Sequence, residues 1–523
     1  MSHAPNPSDD SRLLRLAITL ALAIYATAAL FGWPQEVTRQ IVRQAAAERP
    51  HAGPESGGVG PGAPKAFPAH PPLWTVTPFA LLLLAIAVLP LVPRTAAWWE
   101  SNLHRFYVAG GLGLLTLLYY LFLRQTPVMA HWPVHTLVPP GPRPDFAVGR
   151  TVLVNAMLGE YLPFIILLFS LYTISGGIRI AGDLRAWPST NTAFLLSGGL
   201  LASLIGTTGA AMLLIRPLLE TNRERKHVCH TVVFFIFIVC NCGGCLLPLG
   251  DPPLYLGYLQ GVPFAWTLRL WPAWLLVNGS LLAVYFLWDR LVALPRESPG
   301  DISRDRARVH PLRFLGIWPG GLLLAGLIAA VALLDPAKLV PGTTWHPWVY
   351  LREAVELALV LASLVLGAPG IRRANRFHYA PMVEVAALFF GIFLCMQPPL
   401  EIVGVLGPQL GLHGPAQFFW GSGLLSSVLD NAPTYLVGFE MARSLGGGTP
   451  VGATGVDAAR LAALSLGSVF MGANTYIGNG PNFMVKAIAE HAGVRMPGFF
   501  GYLVYSLTIL IPLFLLVTLL FFR

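Results

Sequence analysis

Leu249-Gly250-Asp251-Pro252-Pro253 and Ile477-Gly478-Asn479-Gly480-Pro481-Asn482 are the two stretches on which the reading of the fold turns. Each interrupts an apolar run, the first near 228–260 and the second near 458–489. Neither run can be one unbroken helix, because proline lacks the N–H donor and clashes with the preceding turn, while glycine is a poor helix former. Two apolar helices are therefore broken at mid-length, and each break carries a polar side chain.

The composition explains how such breaks can exist. Of 523 residues, 55% are hydrophobic and only 11% are charged, against about 25% charged in an average soluble chain. A cytosolic enzyme of two or three domains is excluded, and lipid is the missing solvent. The 53 Gly and 45 Pro lie mostly inside apolar runs, where broken or closely packed membrane helices tolerate them. The formal charge of +9 comes from short Arg clusters between apolar segments; this is a topology signal, and no nucleic-acid partner is expected. Cys229, Cys240, Cys242, Cys245 and Cys395 lie in or beside apolar stretches, so no disulfide framework is inferred.

Unbroken apolar stretches near 13–33, 73–92, 106–124, 157–180, 271–293, 314–334, 350–367, 381–402 and 498–522 are each long enough to cross a bilayer, which takes about 20 residues. Two more, near 193–219 and 416–442, have polar centres and read as re-entrant hairpins. The expected fold class is an all-α polytopic membrane protein of about 11 transmembrane helices, or 10 if the first is removed. Arg12 and Arg15 before that first stretch, and Ala26-Thr27-Ala28 near its end, leave open whether it is a helix or a cleaved signal peptide.

Arg290, Arg296, Arg304, Arg306, Arg308 and Arg313 fall on one side with Arg372, Arg373 and Arg376, and by the positive-inside rule that side is cytoplasmic. Arg94, Arg105, Arg185, Arg223, Arg225 and Lys226 follow on the same side, which places the N-terminus inside and the C-terminus outside. The expected divisions are residues 1–72 (signal or anchor helix and a Pro/Gly-rich outside linker), 73–150 (scaffold helices), 151–293 (first transport repeat), 294–380 (basic cytoplasmic loop and linking helices) and 381–523 (second repeat).

The repeat is visible in register. Glu160 aligns with Glu384, Gly199–Ser203 with Gly423–Ser427, and the tip Gly206-Thr207-Thr208-Gly209 with Asp430-Asn431-Ala432-Pro433, all at an offset of 224. The breaks align at 228, Gly250 with Gly478. Three crossings counted between the units make the second enter from the opposite face. Inverted repeats with discontinuous helices are the architecture of secondary transporters, with substrate and coupling ion at the midplane.

G-D-P-P from Gly250, L-D-N-A-P-T from Leu429 and G-A-N-T-Y-I-G-N-G-P-N from Gly472 together resemble the ion transporter superfamily. Within it the chain is most similar to the bacterial sodium:proton antiporter group that is also described as citrate-transporter-like, over about residues 71–522. Arsenite efflux pumps and dicarboxylate carriers are more distant relatives. The resemblance implies a homodimer in which a transport domain of hairpins and broken helices moves against a scaffold. It also implies that Asp251 and Asp430 approach one central site. Thr207-Thr208 departs from relatives that place an Asn-containing tip there.

Ionisable groups deep in a membrane carry a penalty of a few kcal/mol each and default to functional candidates. Asp251 and Asp430 lead; each can also cap a half-helix. Asn431, Thr434, Asn474, Thr475, Asn479 and Asn482 supply neutral oxygens of the kind hard cations prefer, although Asn also makes good turns. Thr207, Thr208, Glu160, Glu384, Arg216 and Lys486 are secondary candidates. The two Glu are possible proton relays or boundary partners. Arg216 and Lys486 could meet a carboxylate substrate, pair with the Asp residues, or snorkel. Cys240, Cys242 and Cys245 lack the paired spacing of a zinc site, and no resident metal or cofactor is expected. No G-x-x-x-x-G-K-[ST] loop and no Ser/His/Asp spacing is present, so neither an ATP-driven pump nor an enzyme is expected.

The function expected is Na⁺:H⁺ antiport across a bacterial inner membrane, with Na⁺ and H⁺ as transported ions. The alternative is transport of citrate or another carboxylate coupled to cations or protons.

Overall fold

The computed structural model describes residues 7–47, 70–90 and 92–523. The linker expected at Pro50–Pro72 lies, except for its last three residues, outside them. The chain is mostly helical and is a multi-pass membrane protein. Among the described residues five helices are long and apolar enough to cross a bilayer: Arg12–Leu30, Asn102–Phe122, Phe146–Ser175, Phe264–Arg296 and Phe499–Phe521. Two bent pairs raise this to seven if each is one span.

Both bent pairs overlap stretches expected to cross, 73–92 and 381–402. The first turns by 104° between Leu73–Val88 and Pro93–Trp99, and the second by 43° between Ala380–Cys395 and Gln397–Leu410. Pro90 and Pro93 in the one, and Pro398 and Pro399 in the other, remove the donors that would carry the helix through. The helix expected from 157 instead starts at Phe146, capped by Asp145 Oδ1 accepting from Val148 N at 3.0 Å. The boundary drawn at 150/151 therefore falls inside a helix. Glu160 sits mid-helix in the π-helical turn Asn155–Tyr161.

The fold is also not purely α. Val128–Ala130 pairs with Thr136–Val138, and Arg179–Asp183 pairs antiparallel with His310–Leu315. The second ribbon ties the loop after the Leu162–Ser175 helix to the basic tract ending at Arg313.

The first helical pair is Pro188–Ile205 and Thr207–Thr221, folded back at Gly206, whose φ of +80° suits glycine. The second is Pro415–Ser426 and Asn431–Leu445. The first broken helix runs Cys229–Ile238, then through the break to Pro252–Leu259; the second runs Ala458–Phe470, then to Gly480–His491.

Unwound backbone at membrane depth must find partners inside the protein. Ser203 Oγ donates to Gly243 O at 2.6 Å and accepts from Leu246 N at 3.1 Å, while Thr207 N donates to Gly250 O at 2.9 Å. In the other half Ser426 Oγ donates to Ser468 O at 2.7 Å, Ser427 Oγ to Met471 O at 3.1 Å, and Thr475 Oγ1 to Ser427 O at 2.6 Å. Each helical pair is thus hydrogen-bonded to the broken helix of its own half.

A buried ion network holds the base of the first half. Arg225 grips Asp289 with two hydrogen bonds of 3.0 and 2.5 Å, and His230 Nε2 lies 3.1 Å from Asp289 Oδ1. Glu297 accepts from the backbone N of Lys226 and His227. Asp289→Ala leaves the buried guanidinium without its two hydrogen bonds to Asp289 and, among the described residues, with only Glu297, 3.6 Å away, as counter-ion. The expected loss is about 3–5 kcal/mol, read as a lower melting temperature of the detergent-solubilised protein; an unchanged melt would show that Arg225 is not held by this pair.

Candidate functional site

The site is built from the two breaks. Asp251 (φ −145°, ψ 144°) and Asn479 (φ −152°, ψ 138°) both take extended backbone at the N-cap of the following half-helix, and neither uses its side chain to cap it. Pro252 enforces this at Asp251, since the residue before a proline is driven out of the helical region. With no cap to make, the two side chains meet: Asn479 Nδ2 donates to Asp251 Oδ1 at 3.2 Å.

The tips of both helical pairs close on the same carboxylate. Thr207 Oγ1 donates to Asp251 Oδ1 at 3.1 Å, and Asn431 Nδ2 donates to Oδ2 at 2.6 Å. The aligned positions Thr207 and Asn431, and the aligned positions Asp251 and Asn479, converge on one point. Asp251 is 1% exposed, so these three donors replace the water it would otherwise hold. Among the described residues no Lys, Arg or His side chain hydrogen-bonds or pairs with it.

Asp430 has a different role. Its Oδ1 accepts from Ala432 N at 3.2 Å and caps the Asn431–Leu445 helix, while Thr434 Oγ1 donates back to Asp430 O at 3.0 Å. It reaches Asp251 only through its neighbour Asn431. Asn482, Asn474 and Thr475 form a second tier. Asn482 Nδ2 donates to Gly472 O and Thr475 O at 2.9 Å each, and Asn474 Nδ2 to Ser427 Oγ at 2.9 Å. These residues hold the break in shape and do not touch Asp251.

Sequence reasoning missed Asn241. Its Nδ2 donates to Asn482 Oδ1 and Ile236 O at 2.8 Å each, and its Oδ1 accepts from Asn479 Nδ2 at 3.3 Å. It links the two breaks, and the signal for it is a polar amide at the centre of an apolar run, in C-N-C-G-G-C from Cys240. Those cysteines contribute backbone to this region: Cys240 O accepts from Asn479 Nδ2 and Cys242 O from Asn278 Nδ2, both at 3.0 Å.

Two oxygens at the site are left over. Asn431 Oδ1 and Asn474 Oδ1 are buried without a hydrogen-bond partner among the described residues. Buried polar atoms are almost always satisfied, and carbonyl-type oxygens are the ligands a hard cation takes. Because an amide presents N–H on one side and oxygen on the other, rotation of Asn431 would turn a donor to Asp251 into a cation ligand beside it.

The remaining candidates lie elsewhere. Lys486 Nζ pairs with Glu490 at 2.7 Å and lies over the Tyr476 ring at 5.5 Å, so it does not pair with either Asp. Glu384 pairs with Arg105 at 2.9 Å, whereas Glu160 accepts from Gln397 Nε2 at 3.4 Å; the aligned Glu residues have unlike surroundings. Thr208 makes no side-chain hydrogen bond to the cluster. Arg216 does not reach the carboxylates either. It lines a cavity of about 1780 Å³ whose walls carry nine Lys and Arg against three Asp and Glu.

That cavity opens among the basic loops and contains the Arg179–Asp183 ribbon. Asp183, on its wall, has its carboxyl pushed up to about 6, by burial first and then by Glu224, Glu220 and Asp305. Met212 and Met484 also line it. They sit five and four residues into the half-helices that start at Thr207 and Gly480, so about 6–8 Å of helix separates the cavity from the carboxylate cluster.

No curated protein matches the chain. A family model described as "Putative citrate transport" matches residues 69–522, nearly the whole length, and the chain belongs to that family of transporters.

Proposed function

We propose that this protein is a secondary active transporter of a bacterial inner membrane that exchanges Na⁺ for H⁺ at Asp251. The observation that carries the reading is the make-up of the site: one buried carboxylate held by Thr207, Asn431 and Asn479, with neutral oxygens beside it and, among the described residues, no cationic side chain bonded to it. A bare di- or tricarboxylate would be repelled there. A proton or a Na⁺ ion cancels the charge of Asp251, and the two compete for it. The loaded, neutral site is then the one that crosses the low-dielectric interior at least cost.

The matched tips and breaks support two inverted repeats with re-entrant hairpins, within about 11 crossings. The shared location of the basic loops supports their cytoplasmic placement, with the N-terminus inside and the C-terminus outside. A homodimer remains the expectation carried by the family resemblance.

A second reading, carboxylate transport coupled to cations or protons, is favoured by the arginine-rich cavity, which would draw anions toward the site, and by the family description. One experiment separates the two. In inverted vesicles, dye-reported proton movement on adding Na⁺, Li⁺ or K⁺ is expected, with no accumulation of labelled citrate. Citrate accumulation without cation-dependent proton movement would replace the first reading by the second.

A further inference from the structure

A second group of buried charges stands apart from this site, on the Leu351–Leu366 helix. Arg352, Glu353 and Glu356 occupy its first turns and are all buried, Glu356 completely. Arg352 places both Nε (3.0 Å) and Nη2 (2.5 Å) on Glu353 Oε1. Both carboxyl oxygens of Glu356 are buried and have no hydrogen-bond partner among the described residues. One guanidinium balances one carboxylate, and Glu353 has it.

The other charged or titratable groups around Glu356 do not close the balance. On the facing Pro252–Leu259 helix the rings of Tyr255 and Tyr258 lie 5.9 and 5.5 Å from the Arg352 guanidinium. Their hydroxyls face Pro163 O and Val331 O. Lys338, over the Tyr258 ring, is paired with Asp335 at 2.6 Å. From the N-terminal helix Tyr25 donates to Val349 O, and Tyr350 donates to Leu158 O. An ionised carboxylate without donor or counter-ion is among the most expensive things to bury. A proton removes that expense.

We propose that Glu356 is a second proton-binding site, which takes up and releases its proton as the Pro252–Leu259 helix shifts during the transport cycle. That helix joins the two sites: Asp251 is its N-cap, and Tyr255, one turn on, lies against the Arg352 cluster. The coupling to a cycle rests on the transporter reading above; the bound proton does not.

The test uses full-length protein and Glu356→Gln, the neutral isostere of a protonated carboxyl. Infrared spectra at neutral pH are expected to lose one protonated-carboxyl band in E356Q while the melting temperature holds. In vesicles, the pH at which exchange falls to half is expected to shift by about one unit. An unchanged band overturns the bound proton even if exchange is intact. A lost band with an unchanged pH profile overturns its coupling to transport. A lost band with no exchange in wild-type vesicles leaves the proton site standing and removes the transporter reading instead. If E356Q does not fold, Glu356→Asp keeps the carboxyl and displaces it by one methylene; the band is then expected to shift, and an unmoved band overturns the proposal.

Discussion

Asp251→Asn is expected to abolish cation-dependent proton movement in vesicles, by at least about a hundredfold, while the purified protein melts as wild type. The substitution keeps the shape, its Oδ1 can still accept from Thr207 and Asn479, and Asn431 can turn its amide to offer the unpartnered Oδ1 to the new N–H, so the packing of the four converging segments survives. What disappears is the only group in the cluster that can bind a proton or carry a counter-charge. Hydrogen bonds to charged groups are worth about 1.5–3 kcal/mol each, and 2.7 kcal/mol is already a factor of about a hundred in rate. Asp430→Asn is expected to do less, because an Asn side chain caps a helix nearly as well as Asp. If D251N transports normally, the site has been placed on the wrong residue, whatever the cargo.

Gly250→Ala is expected to prevent folding. A methyl group at Gly250 would overlap Gly244 O and stand 2.9 Å from Ser203 Cα. Both are backbone, so no rotamer change relieves the clash, and the strain falls at or above the usual 1–3 kcal/mol for an overpacked core. The half-helix hydrogen bond from Thr207 N to Gly250 O would be lost with it. Yield of monodisperse protein on size-exclusion chromatography reads this directly. Gly480→Ala, in the second break, is the control: no atom lies within 4 Å of its added methyl, and normal yield is expected. Equal yields for both would mean that close approach of the break to its helical pair is not required.

The parts of this architecture that were legible in the sequence are those written in proline and glycine. G-D-P-P and N-G-P-N announce breaks, and the offsets of 224 and 228 align Thr207 with Asn431 and Asp251 with Asn479; in the structure Thr207, Asn431 and Asn479 all donate to Asp251. Which of several amides touches the carboxylate was not legible, because a buried Asn in a loop serves backbone and ligand with the same atoms. Asn482 turned to the backbone and Asn474 to the Ser427 hydroxyl, and Asn241 was missed. Lys486 had its partner in plain view at Glu490, four residues on along one helix, but membrane depth suggested a more distant role. The start of the Phe146–Ser175 helix is not legible from apolarity, because its first turns carry Gly149 and Arg150. Glu356 was hidden for a related reason. L-R-E-A-V-E-L looks like a wet helix end, and only packing against Tyr255 and the N-terminal helix makes it dry.

The pairing of Asp251 with Asn479 at equivalent points of the two breaks has an electrical consequence. A fully symmetric ancestor of the site would carry two carboxylates or none. With one Asp and one Asn, and Asp430 engaged at its helix cap, the exchange proposed above would have a single proton and a single Na⁺ each bring the central cluster to the same zero charge. The membrane voltage would then do no work on either loaded form as it crosses, and exchange at this site alone would follow the two concentration gradients.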